Sequence, residues 1–292
     1  LTEEPTLQIY EDIIQLFYNI FLSKEGRFDP MPVVLEAIIQ FVEDYAYEFS
    51  QETRKRIMTL LCVFASNSIT SSVFIMSRGF SKLVILFDLC KKDKIKLTRE
   101  EFLEFNRQGV IAAFTCSFYT KSKDFAALDG ALDRLLLYDP RDFDLLTKKL
   151  VSVALFNYTN TDDEEIRYYL AKRGGIKIPR DFLEASDLSS TTSDNLQQIF
   201  SRTAYKMSFT SLDLRSILLE KGIARILLAC STSKKPEIAN EVATALCRYS
   251  QVQSGLVHLV QGEGVKLVDN LLRNGARSFF HPTTQDTYLK AA

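Results

Sequence analysis

The chain has 292 residues, 46% hydrophobic and 25% charged, and its 36 basic and 37 acidic side chains leave a formal net charge of −1. Such a chain is long enough for a large core, and its near-neutrality excludes the global basic footprint of a nucleic-acid or anionic-membrane binder. No run approaches the roughly 18 apolar residues of a membrane span. The first residues, Leu1-Thr2-Glu3-Glu4-Pro5, are polar and acidic, which is not a signal-peptide pattern. No initiator Met stands there, and Thr287 to Ala292 resembles a helix stopped just after its start, so both ends read as cuts in a longer chain.

In chain order, residues 7–22 form the first helical pattern, with Ile9, Ile13, Leu16, Phe17, Ile20 and Phe21 on one stripe. Asp29-Pro30-Met31-Pro32 breaks the chain, and a second helix follows with Val34, Leu35, Ile38, Phe41, Val42 and Tyr45 inward. Residues 53–65 are a third. A short helix at 73–76, a corner at Gly79, a medium helix at 82–89 and a long one at 100–119 then make one full unit. The same order recurs, with long helices at 145–158, 195–207 and 238–249. Two stretches lengthen single units: residues 90–99, and the Ser/Thr-rich residues 184–194, read as an exposed connection with Ser193 as the next N-cap.

Five glycines mark the corners: Gly79, Gly130, Gly175, Gly222 and Gly264, spaced 51, 45, 47 and 42 residues apart. A helical period in that range predicts an all-α solenoid of stacked three-helix repeats. Glycine suits such a corner because it takes φ > 0 at a helix end and lets two helices cross closely. The whole chain, 1–292, reads as one array: a partial repeat over 1–50, about five repeats over 51–275, and the start of another over 276–292.

The residues that would carry chemistry do not assemble. His258 and His281 are the only histidines, and His258 sits in the apolar Gly255-Leu256-Val257-His258-Leu259-Val260, where packing suits it better than proton transfer. Gly262-Glu263-Gly264-Val265-Lys266 lacks the spacing and the Ser/Thr of a phosphate loop and is read as a repeat corner. Residues 160–165 lack the Gly and final Glu of a calcium loop, and read instead as a capped helix start. Asn157-Tyr158-Thr159 fits a glycosylation sequon but falls within a helix. Cys62, Cys90, Cys116, Cys230 and Cys247 are odd in number and never in C-x-x-C spacing, which predicts free thiols and a reducing, cytoplasmic setting. No cofactor, metal site or enzymatic activity is expected.

Val151-Ser152-Val153-Ala154-Leu155-Phe156-Asn157-Tyr158 and Val242-Ala243-Thr244-Ala245-Leu246-Cys247-Arg248-Tyr249 resemble the third-helix motif of the armadillo repeat family, and residues 13–20 keep its pattern with Asn19. The resemblance covers nearly the whole chain and implies an all-α, right-handed α-solenoid of armadillo-like three-helix repeats. It implies a non-catalytic scaffold or adaptor whose third helices line a concave groove for an extended or partly helical segment of a protein partner, without nucleic acid. By position the ladder that clamps a peptide backbone reads Asn19, Val63, Cys116, Asn157, Met207 and Arg248. One turn earlier stand Gln15, Thr59, Ala112, Val153, Thr203 and Thr244, and seven residues before the ladder Asp12, Arg56, Gly109, Leu150, Phe200 and Glu241. Asn19, Gln15, Arg56, Thr59, Asn157, Thr203, Thr244 and Arg248 are therefore the expected partner-binding residues. The importin-α type of groove needs Trp on that face, and this chain has none, which argues against nuclear-import signals as ligands. Leu219-Glu220-Lys221-Gly222-Ile223 and Ala243-Thr244-Ala245-Leu246 are similar to repeats of the UCS family of myosin co-chaperones. Regulation of a small GTPase is a further role that the armadillo resemblance implies.

Overall fold

The computed structural model describes residues 7–22, 31–92, 98–119, 123–136, 144–185, 191–253, 257, 259 and 264–277. Among the described residues the regular structure is helical throughout, with no β-strand. The chain forms two compact units, Leu1–Tyr138 and Asp139–Ala292. Both His258 and His281, the C-terminal segment, and residues 93–97 and 186–190 of the two lengthened connections lie outside the described residues.

The first unit contains α1 (Leu7–Leu22), α2 (Pro32–Tyr45), α3 (Gln51–Ser66), α4 (Ser71–Met76), α5 (Gly79–Lys92), α6 (Arg99–Cys116), α7 (Lys123–Ala126) and α8 (Leu132–Leu136). Local chemistry sets the starts. Ser50 caps α3 by accepting the Thr53 N–H at 3.3 Å. Thr98 and Glu101 form a reciprocal capping box on α6, and Pro32 occupies the first turn of α2. Helix α3 packs between α1 and α6, α2 lies on α5, and α4 lies on α7. Each row thus holds one class of helix from successive repeats. Phe64, Phe74 and Phe80 are fully buried between the rows, each contributing about 1.5–3 kcal/mol of burial energy.

The second unit contains α9 (Leu145–Thr159), α10 (Glu164–Arg173), α11 (Lys177–Ala185), α12 (Thr191–Met207), α13 (Leu212–Glu220), α14 (Ile223–Ser231), α15 (Pro236–Tyr249) and α16 (Gly264–Arg277). Asp163 caps α10 by accepting the Glu165 N–H at 2.8 Å, so the acidic run 160–165 is the helix start that its composition predicts. Ser211 caps α13 in the same way. Helix α12 begins at Thr191, which puts Ser193 inside its first turn and not at its cap. Helix α12 packs between α9 and α15, α14 between α11 and α16, and α10 on α13. The rows of the first unit are repeated. Tyr158, Phe200 and Tyr249 fill the core, and the Tyr249 hydroxyl donates to the Ala204 carbonyl at 3.3 Å.

The corners differ from the sequence expectation. Gly130 and Gly222 do take left-handed backbone, at φ 116° and 91°. At Gly79 the left-handed residue is instead its neighbour Arg78, at φ 55°. Gly79 is needed for close approach, since a Cβ there would fall 2.2 Å from the Phe74 ring. Between α7 and α8 the helix widens into a π-type turn over Ala127–Ala131, kinked at Gly130. The α1 stripe also shifts. Ile14 is its buried centre, whereas Ile9 and Leu16 are exposed.

Candidate functional site: the outer face of the third helices

Helices α1, α3 and α6 in one unit, and α9, α12 and α15 in the other, are the third helices of their repeats. Each buries one side against its row and leaves an exposed stripe. On α1 that stripe carries Asp12, Gln15 and Asn19, with the Gln15 amide donating to Asn19 Oδ1 at 2.7 Å. On α3 it carries Glu52, Lys55, Arg56, Thr59 and Val63. Arg56 pairs with Glu52 one turn away at 3.4 Å, and the Thr59 hydroxyl donates to the Lys55 carbonyl at 3.1 Å. Lys55 reaches Glu101 at the start of α6 at 2.6 Å, and that contact, with the Thr98 N–H, holds the Glu101 carboxyl below the usual range.

On α6 the sequence register is wrong by one residue. Cys116 and Ala112 are fully buried, and burial pushes the Cys116 thiol up to about 12. Gly109 is buried too. It lies beside the Arg134 guanidinium, where a Cβ would come within 2.9 Å of Nε. That guanidinium is inward, stacked 4.6 Å above the Phe87 ring. The accessible stripe of α6 is instead Glu104, Gln108, Ile111 and Thr115, with Phe118 exposed just past the helix end.

Helix α12 shows the same slip. Met207 is fully buried and Thr203 is 5% exposed, its hydroxyl turned back to the Ile199 carbonyl at 2.8 Å. Thr203 is therefore a core position, not a surface one. Gln198, Arg202 and Lys206, spaced at i, i+4 and i+8, occupy the accessible stripe. Arg202 and the Ser201 hydroxyl both contact Glu241 on α15, at 3.1 and 2.5 Å. The polar spacing of these residues was the signal that could have set the register.

On α9 and α15 the carried-over positions are half-buried and reach the surface. Asn157 is half-buried beside Val153 and Lys149, and Thr244 is half-buried on α15. Arg248 lies 3.6 Å above the ring of Phe209, which in turn meets Tyr205 edge-on at 4.8 Å. Lys149, Arg202, Lys206 and Arg248 against Glu237 and Glu241 leave this face of the second unit cationic. The first unit's face mixes Asp12, Glu52 and Glu104 with Lys55, Arg56 and Arg107, and is balanced.

Arginines that no motif indicated tie the ends of these helices together. Arg167, fourth residue of α10, donates to the Thr161 carbonyl and, at 3.0 Å, to the Phe209 carbonyl. Arg215, fourth residue of α13, donates to the Thr210 carbonyl at 2.9 Å and the Arg248 carbonyl at 2.8 Å. Each donates to carbonyls at or just past the third-helix ends of two successive repeats at once. Glu164 on α10 accepts the Ser211 N–H at 2.8 Å, and the Ser211 hydroxyl and N–H hold its carboxyl below the usual range. Among the described residues no three His, Cys, Asp or Glu side chains gather where they would hold a metal ion. No described helix is long and apolar enough to cross a membrane.

No protein-family model matches the chain, and no curated protein matches it by sequence. Solved structures do. A computationally designed armadillo repeat protein for modular peptide recognition is similar over 87% of this chain and 98% of its own, with 15% identity and a TM-score of 0.57. A second designed armadillo repeat protein covers the same shares with 16% identity and a TM-score of 0.53. An engineered protein is similar over 87% of this chain and 96% of its own, with 16% identity and a TM-score of 0.51. Likeness of this kind, together with the three rows of helices, makes the fold an all-α solenoid of armadillo-like repeats.

Proposed function

We propose that the chain is a non-catalytic scaffold, one continuous array, that holds a segment of a protein partner along the outer face of its third helices. The observation that carries this reading is the stripe Gln198, Arg202 and Lys206 on α12, flanked by Lys149 on α9 and by Arg248 on α15. Three neighbouring helices in one row present polar and cationic side chains outward, and their apolar sides are already spent on one another. A solved relative in fold, built for modular peptide recognition, supports the same use of the face. The excess of cations favours an acidic segment on the second unit. Free thiols at all five cysteines suit a reducing compartment such as the cytoplasm.

The narrower readings gain no support from the segments that suggested them. Ala243 and Ala245 are buried core, and Gly222 is a left-handed corner, so both features serve any armadillo stack. Myosin-directed co-chaperone and GTPase regulator remain special cases of the scaffold reading without a residue of their own.

The test is quantitative capture of partners from native extract by wild type and by the double variant Arg202→Glu/Lys206→Glu. Both side chains are solvent-reaching, so the variant keeps its helical circular dichroism. Partner recovery at least tenfold lower in the variant supports the reading. Equal recovery contradicts it.

A further inference from the structure

On the first-helix side of the first unit, away from the third-helix face, lies a pocket of about 450 Å³. Its floor is Ile75, 2% exposed, and its walls are Met76, Phe125 and Leu128, which are 69%, 64% and 55% exposed. Three large apolar side chains held out to solvent around one cavity are unusual on a folded surface. The volume lies within the range of about 300–1,000 Å³ typical of ligand sites.

Ser81 and two charged residues, Arg78 and Asp129, complete the lining. Asp129 is spent internally. Its Oδ2 accepts the Phe80 N–H at 2.9 Å, and its Oδ1 meets the Ser81 hydroxyl, so both oxygens serve the start of α5. Arg78 is exposed and has no hydrogen-bond acceptor or ion pair among the described residues, only the field of Asp129. Its backbone is the left-handed residue of this corner, at φ 55°, a conformation that Gly222 supplies at a corner of the second unit. The Arg78 N–H donates to the Ile75 carbonyl at 3.1 Å and its carbonyl accepts from Lys82 at 3.3 Å, so the strained residue is locked in place. A non-glycine residue in left-handed backbone is uncommon, and here its side chain stands in the pocket lining.

We infer that this corner pocket docks a segment of a protein partner, which inserts one bulky apolar side chain and sets a carboxylate on Arg78. The charge at the mouth selects the acidic group, because the guanidinium offers donors and no acceptor. The apolar side chains stand at the rim and not at depth. They call for a wide covering surface, which a protein segment provides and a small amphiphile does not.

The test is selection of a random 12-residue peptide library on the full chain, with counter-selection on Leu128→Asp. Enriched peptides should carry Leu, Phe or Met with Asp or Glu within four positions. By fluorescence polarisation, affinity should fall at least tenfold in Leu128→Asp and in Phe125→Asp. Arg78→Glu should turn the preference toward Lys-containing versions of the same peptide. Arg202→Glu/Lys206→Glu should bind unchanged, which separates this site from the third-helix face. No enrichment, enrichment without acidic residues, or equal binding by Leu128→Asp overturns the inference. So does self-association of the wild type that Leu128→Asp abolishes, because the pocket then belongs to a second copy.

Discussion

A methyl group added at Gly222 would meet nothing closer than the Arg180 side chain at 3.7 Å, so alanine there suffers only from its left-handed backbone. At Gly79 the backbone is ordinary and the methyl would run into the Phe74 ring. Gly222→Ala should therefore cost about 1–2 kcal/mol through strain, and Gly79→Ala about 1–3 kcal/mol through overpacking. Asparagine separates the two causes, since it tolerates left-handed backbone. In denaturant titrations Gly222→Asn should recover part of the loss, and Gly79→Asn should be worse than alanine. The arginine ties are the other residue-level claim. Arg215→Met keeps the aliphatic stem but leaves the Thr210 and Arg248 carbonyls without their donor. It should cost about 1–3 kcal/mol. Arg215→Lys should recover less than half of that, because an ammonium cannot span both carbonyls as a fork does.

Among the elements, α6 and α12 show where sequence reasoning fell short. The armadillo motif is clear on α9 and α15, and there Asn157, Thr244 and Arg248 are half-buried and reach the surface. Helices α6 and α12 lack the motif, so the register had to be carried across from neighbouring repeats. An error of one residue turns a helix by about 100°, enough to exchange Thr203 and Met207 for Arg202 and Lys206. The charged residues at i and i+4 would have corrected it, because burying an unpaired cation is far costlier than burying Met. Thiol labelling reads the register directly. In the native wild type Cys247 is exposed and the other four cysteines are buried, with Cys62 and Cys116 both raised to about 12 by burial. One thiol should react promptly and five after unfolding. Lys206→Cys should add a second fast thiol, while Met207→Cys should not. The opposite order would restore the original register.

At the scale of the whole molecule, the period of the glycines and the absence of strand patterning were enough to indicate an all-α solenoid, and the third-helix motif supplied its armadillo-like character. What they left out were the interactions between repeats. Glu164 with Ser211, Arg167 with Phe209 and Arg215 with Arg248 join residues 33–47 apart, and each residue alone looks like an ordinary surface charge. The corner pocket was equally hidden, since it takes α4, the start of α5 and the wide turn at Ala127–Ala131 together. Partner capture along the third helices is the claim on which the functional account rests, and lysine-directed crosslinking in native extract tests it most directly. Lys55, Lys149 and Lys206 stand on third helices, whereas Lys172, Lys177 and Lys221 stand on first and second helices or their corner. Partner crosslinks should concentrate on Lys149 and Lys206, and those at the remaining Lys149 should be lost in Arg202→Glu/Lys206→Glu. Crosslinks confined to Lys172, Lys177 and Lys221 would contradict it.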